Sequence, residues 1–269
     1  MQFDIHTFIL GAVQGLCEFL PVSSSGHLAL LQHFFGFRDD NLVAFDLLLH
    51  CATVSVIVIF FWRDIWQIIT EWFGGWITGK RLSGWSYGWA IIIATILTGI
   101  IGLPLRKVVD TASSSPLFVG AGLIMTAFIM ALVPLISKTQ KNSSLLSIAV
   151  AVGIAQGIAV LPGVSRSGMT IAAGLFMGLG VSEAFRFSFL VSVPAVLGAS
   201  LLEALKAARG TEAVFLPSGY LWAVLAAFLL GFMALGLMRK LVLAGKWAYF
   251  GFYCLIVGAL AVLSSLEIF

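Results

Sequence analysis

The chain is predicted to be an all-α integral membrane protein built as an inverted-topology repeat, with about six transmembrane helices and two re-entrant helical hairpins. Three observations predict this. Of the 269 residues, 60% are hydrophobic and only 10% are charged, with a mean hydropathy of +1.07. A water-soluble domain of this length needs far more surface charge, so this chain is solvated by lipid. Six apolar stretches are long enough to cross a hydrocarbon core of about 30 Å. Finally, one polar Ser-Gly segment occurs twice, 142 residues apart.

The elements follow in order. The opening MQFDIH carries an acid and no Lys or Arg before the apolar stretch. That is not the charged n-region of a cleavable signal, so the N-terminus is read as mature. Residues 8–20 form an apolar helix of about 20 Å, too short to span, and Pro21 with a Ser-Ser-Ser-Gly run interrupts it. A second short helical pattern runs from Gly26 to about Phe35, so the pair is a re-entrant hairpin. Spans follow near residues 43–62, 87–105 and 116–137. Residues 145–178 repeat the hairpin with LPGVSRSG at its tip, and spans near 186–205, 217–238 and 247–266 complete the chain. Irregular backbone at membrane depth survives only when buried in protein or lining a cavity.

Laid over each other without a gap, GAVQGLCEFLPVSSSGH (11–27) and GIAQGIAVLPGVSRSGM (153–169) match at Gly11/Gly153, Gln14/Gln156, Gly15/Gly157, Val22/Val164, Ser23/Ser165, Ser25/Ser167 and Gly26/Gly168. The chemical mismatches are Glu18 against Val160, Ser24 against Arg166 and His27 against Met169. At the same offset AFDLLLH (44–50) falls on RFSFLVS (186–192). Each half, 1–140 and 141–269, thus holds one hairpin and three spans within a single membrane domain. An odd span count inverts the second half, so the hairpins enter from opposite faces and their tips meet near the midplane.

Lys and Arg set the expected orientation. Loops on the N-terminal side carry Arg38, Arg106, Lys107, Lys206 and Arg209. The other side carries Arg63, Lys80, Arg81, Lys138, Lys141, Arg186, Arg239, Lys240 and Lys246. The richer side is cytoplasmic, which puts both termini and the first hairpin's entrance outside. No basic stripe or reading module suggests nucleic acid. Cys17, Cys51 and Cys254 lie in apolar runs without metal-ligand spacing and read as small buried hydrophobes.

Free N–H groups at a helix N-terminus make an anion site. Both tips supply one, at Ser23-Ser24-Ser25-Gly26 and at Ser165-Arg166-Ser167-Gly168. Capping alone is the plainer reading of these serines, and it does not exclude phosphate. Arg166 adds a guanidinium whose fork suits phosphate; at membrane depth such a cation is costly and functional unless it snorkels to an interface. Glu18 needs a partner at that depth, and Arg166 or His27 is the candidate. An imidazole near a hydroxyl suits nucleophile activation or proton shuttling, which is the role expected of His27. Asp46 and His50, an i,i+4 pair, read either as site residues or as a polar helix end. Gln14 shares a face with Glu18 and can hydrogen-bond it or the substrate. Glu183, after Ser182, reads as helix N-terminal chemistry.

These segments resemble the two signatures of the undecaprenyl-pyrophosphate phosphatases, also called bacitracin-resistance proteins, through QGLCEFLPVSSSGH and LPGVSRSGMT. The resemblance extends over nearly the whole chain. It implies hydrolysis of a C55 isoprenyl pyrophosphate to the monophosphate carrier and inorganic phosphate, which recycles the carrier for cell-wall glycan synthesis and confers bacitracin resistance. It also implies a bacterial inner membrane. Carried over by position, Glu18, Ser24 and His27 match catalytic positions, with Arg166 beside them. Ser165, Arg166, Ser167 and Thr170 match phosphate-binding positions, and the reading of the tips themselves adds Gln14, Ser23, Ser25, Gly26 and Gly168 to the binding set. The nucleophile is left between Ser24, favoured because the repeat replaces it with Arg166, and His27, otherwise base and then acid, oriented by Glu18. A Mg²⁺ or Ca²⁺ requirement is implied, bridged by pyrophosphate oxygens. Gln14 stands where many members carry a second Glu, which weakens direct coordination and leaves Glu18 as the one candidate ligand. His50 stands where a Gln is common. A transporter or flippase of polyprenyl phosphate is the alternative, since paired broken helices also build carriers. The Glu/Ser/His set confined to one tip argues for chemistry. The sequence allows a homodimer without specifying one.

Overall fold

The computed structural model describes residues 3–37, 42–136, 143–209 and 216–266, and among these it contains eleven α-helices and no strand. Arg38, Lys138 and Lys141 of the charge count, and the 140/141 repeat boundary, lie outside the described residues. The first hairpin is α1 (Ile5–Phe19) and α2 (Ser24–Phe34), and the second is α7 (Leu145–Ile158) and α8 (Arg166–Phe176). Asp4 starts α1 by accepting the Thr7 N–H at 2.7 Å, and Ser144 caps α7 in the same way, from the Ser147 N–H at 3.1 Å.

Among the described residues five helices are long and apolar enough to cross a bilayer: α5 (Ser83–Ser113), α6 (Pro116–Ile136), α9 (Val181–Ala208), α10 (Tyr220–Leu243) and α11 (Trp247–Ser265). The sixth crossing, α3 (Val43–Phe60), does not end in a loop. It turns at Phe61 by 76° into α4 (Trp62–Thr78). The polar residues of α4 (Arg63, Asp64, Gln67, Glu71) share one side, while Trp62, Trp66, Ile69, Phe73 and Trp76 form an exposed apolar stripe at helical spacing. An amphipathic helix of this kind suits the plane of a membrane interface. Helices α5 and α9 also run several residues past the expected span ends at 105 and 205, carrying Asp110 and Lys206 in continuous helix with Pro104 and Pro194 inside.

The two halves interlock. The first hairpin's arm α1 packs along α10 of the second half, α7 packs along α5 of the first, and α6 packs against α11. Gly11 permits the first approach, because a Cβ there would collide with the Ala223 backbone. Its mate Gly153 permits the second, where a Cβ would sit 2.8 Å from Ala94 Cα. The tips exchange contacts in the same reciprocal way. Gly26 faces Gly163 and Gly168 faces Pro21, each the repeat mate of the other pair. Behind each tip a side chain holds the backbone: Thr126 of α6 donates to the Gly163 carbonyl at 2.9 Å, and Cys254 of α11 reaches the Pro21 carbonyl at 3.7 Å. The offset between these two braces is 128 residues rather than 142, because α4 lengthens the first half and has no counterpart among the described residues of the second.

Candidate active site

Ser24 and Arg166 are the first residues of α2 and α8, and Ser23 and Ser165 are the caps before them. Each cap hydroxyl accepts the N–H three residues on, from Gly26 at 3.3 Å and from Gly168 at 3.1 Å. A cap of this kind contributes about 1 kcal/mol to its helix. The capped turns point Ser24 and Arg166 at one carboxylate. Ser24 Oγ donates to Glu18 Oε2 at 2.6 Å, and Arg166 Nη2 donates to Glu18 Oε1. Glu18 is 5% exposed, so its charge is compensated by these partners rather than by bulk water.

Behind it, the Gln14 amide donates to Glu18 Oε2 at 2.9 Å and to His50 Nδ1 at 3.0 Å, and that His50 nitrogen lies 3.6 Å from Glu18 Oε2. The imidazole at Glu18 is therefore His50, not His27 as expected. His27 Nδ1–H donates to the Ser23 carbonyl at 2.8 Å, its Nε2 accepts from Tyr253 OH at 2.8 Å, and the two rings stack at 5.5 Å. Both ring nitrogens are thus engaged away from Glu18 and Ser24. Among the described residues Ser23 is the non-glycine with a left-handed backbone (φ 66°). Such a conformation is uncommon and persists when its surroundings fix it. His27 supplies two of those restraints, since its backbone N–H also bonds the Ser23 carbonyl, at 3.2 Å.

A cavity of about 630 Å³ opens in front of Glu18, lined also by Ser23, Ser24, Ser25, Ser165 and Arg166. Its far wall comes from α5 and α9 and is mostly apolar. Val160, the repeat mate of Glu18, lines the same cavity, so the second tip brings no carboxylate. The remaining expected site residues stand behind this surface. Ser167 donates to the Leu20 carbonyl at 3.2 Å and ties the tips together. Thr170 turns to the Arg166 carbonyl and to Ser188 of α9. Gly26 and Gly168 are the close-approach points between tips, and Gln14 supports Glu18 from behind.

The structure decides one open reading and adds a residue that sequence reasoning did not place. Asp46 lines the cavity and accepts from Gln32 at 2.9 Å. Gln156, the mate of Gln14, lines it too and donates to Thr98 at 3.0 Å. The repeat match at position 14 was the signal that could have found Gln156. The carbonyl oxygens of Gln14 and Gln156 are buried without a hydrogen-bond partner.

The profile of the bacitracin resistance protein BacA family matches residues 7–260 of this chain. The chain belongs to that family. Similar proteins include the undecaprenyl-diphosphatase of Treponema denticola, 41% identical over 94% of this chain and 94% of that relative. That of Methanosphaera stadtmanae is 38% identical over 97% and 98%, and that of Bacteroides thetaiotaomicron is 36% identical over 97% and 99%. The matched region runs from within α1 into α11 and so takes in both hairpin tips and the cavity-lining residues.

Proposed function

We propose that this chain hydrolyses undecaprenyl pyrophosphate to undecaprenyl phosphate and inorganic phosphate, recycling the lipid carrier of cell-wall glycan synthesis and conferring bacitracin resistance. The observation that carries the reading is the convergence of Ser24 and Arg166, from opposite hairpins, on the two oxygens of Glu18 at the end of a mostly apolar cavity. The family membership and the names of the relatives support it.

The terminal phosphate of the substrate competes with Glu18 for Arg166, whose planar fork matches phosphate oxygens. Once Arg166 turns to the phosphate, Glu18 is the base for the Ser24 hydroxyl, already bonded to it. Ser24 Oγ attacks phosphorus, its proton passes to Glu18, and the bond to the bridging oxygen breaks with departure of the prenyl monophosphate. Water then cleaves the phosphoserine and releases inorganic phosphate. Arg166 and the free N–H groups of the two capped turns stabilise charge on the transferring group. In this scheme His27 is a positioning residue that holds the Ser23 turn.

Among the described residues no three His, Cys, Asp or Glu side chains gather to hold a metal. Glu18 is the one carboxylate at the two tips, so a hard cation would fit there only with phosphate oxygens supplying most of its ligands. Mg²⁺ or Ca²⁺ would supply charge neutralisation there, with Glu18 the protein group that would hold it. The reading places residues 1–140 and 141–269 as repeats of one domain in the inner membrane, with both termini and the active site outside. It needs no second copy, because every named group comes from one chain. The transporter reading is disfavoured by Val160, which leaves the second tip without the carboxylate of the first.

The test is phosphate release from C15 or C55 prenyl pyrophosphate by the purified protein in detergent, beside Arg166→Ala. Release by the wild type and its loss in the variant are expected. A wild-type protein that binds the lipid and releases no phosphate, with or without Mg²⁺ or Ca²⁺, would overturn the reading in favour of a carrier.

A further inference from the structure

The cavity carries a second charged group at its other end. Where α5 and α9 approach their C-termini, Arg106 forms an ion pair with Glu203, and Lys206 reaches the same carboxylate oxygen at 3.8 Å. Arg106, Glu203 and Asp110 line the cavity that Glu18 and Arg166 line. Thr98, beside Gln156 at the inner end, and Arg106 are eight residues apart on α5, or about 12 Å along the helix. Gly99 and Gly198 line the wall between these ends, with open space in front of their α-carbons. The two charged groups therefore stand at opposite ends of one cavity, and across its mouth Arg106 of α5 pairs with Glu203 of α9, with Lys206 alongside.

That pair is incompletely compensated. Glu203 is mostly buried, its side chain 17% exposed, and its Oε2 is buried with no hydrogen-bond partner. A carboxylate taken from water with one oxygen idle has given up hydration without regaining it. A phosphate offers three oxygens to the same cations, and its tetrahedral array suits the guanidinium fork.

We infer that Arg106 and Lys206 form an outer phosphate station at the mouth of the cavity, filled at rest by the Glu203 carboxylate, where a phosphate group halts between the membrane surface and Arg166. The ligand chemistry is a phosphate monoester or diphosphate headgroup or free inorganic phosphate. The station deepens the proposed phosphatase reading, yet its occupancy is measurable without turnover.

The experiment is calorimetric titration of the purified protein with inorganic phosphate and, separately, with farnesyl phosphate in detergent micelles. It is made on Arg166→Gln, to silence the inner site, alone and combined with Glu203→Gln, Arg106→Gln or Arg106→Lys. Removing the resident carboxylate is expected to tighten binding several-fold, a sign that a mere strap between α5 and α9 would not give. Arg106→Gln should weaken binding and Arg106→Lys should weaken it less. Tightening for inorganic phosphate alone assigns the station to the departing product, and tightening for farnesyl phosphate assigns it to the lipid headgroup. If Glu203→Gln binds neither ligand more tightly, or Arg106→Gln binds both unchanged, the station is overturned. Should Glu203→Gln fail to fold, unchanged binding in Arg106→Lys and Arg106→Gln is enough to reject it. Turnover by the parent enzyme is recorded separately, so a failed phosphatase reading and a failed station give different results.

Discussion

Glu18 is the residue on which the site turns, because it holds the hydroxyl and the guanidinium that the two hairpins deliver. Glu18→Gln keeps the shape and removes the base, so kcat should fall by about 10² to 10⁴, measured as phosphate release from prenyl pyrophosphate at saturating substrate. His27 gives a sharper contrast. An asparagine there can still donate to the Ser23 carbonyl, as Nδ1–H does, so His27→Asn should retain most of the activity that His27→Leu loses. If the imidazole itself were base or nucleophile, both variants would lose about 10² or more. The pairing of Glu18, Ser24 and Arg166 was legible because the repeat differs chemically at those positions. The swap of His50 for His27 was not. Periodicity shows that Asp46 and His50 share a helix face, but not which carboxylate that face meets. Nor can any local pattern supply Tyr253, which lies 226 residues from His27.

At the scale of elements, the hairpin arms are seated by glycines that admit a neighbouring helix backbone. Gly11→Leu forces α1 away from α10, and Gly153→Leu does the same to α7 on α5. Each should destabilise the protein by about 1–3 kcal/mol or more, the usual cost of overpacking, read as a lowered unfolding midpoint in detergent. Pseudo-symmetry makes the two effects comparable. The hairpins could be read from sequence because Pro21 and the Ser-Gly runs break apolar helices too short to span. Helix α4 was missed because Arg63, Asp64, Gln67 and Glu71 keep it from reading as a span, while the bend at Phe61 has no proline or glycine to announce it. Its insertion also shifts the repeat offset, so a gapless comparison could not follow the likeness into the later spans.

At the scale of the whole molecule, the fold brings opposite hairpins to one cavity and sets that cavity's mouth among the C-terminal ends of α5 and α9. The proposed orientation puts this mouth outside. With Cys17, Cys51 and Cys254 replaced by Ala, a cysteine at Ser218 should react with an impermeant maleimide applied to intact cells. One at Ser83 should react only after the membrane is opened; the reverse pattern would invert the topology. The central claim is that one hairpin's serine attacks a phosphate held by the other hairpin's arginine. Its most direct measurement is a rapid quench during turnover of prenyl pyrophosphate labelled in the terminal phosphate, in acid and in base, with the label located by mass spectrometry. The account predicts acid-stable label on Ser24 that disappears in Ser24→Ala together with phosphate release. Base-stable, acid-labile label on His27, or full turnover by Ser24→Ala, would contradict it.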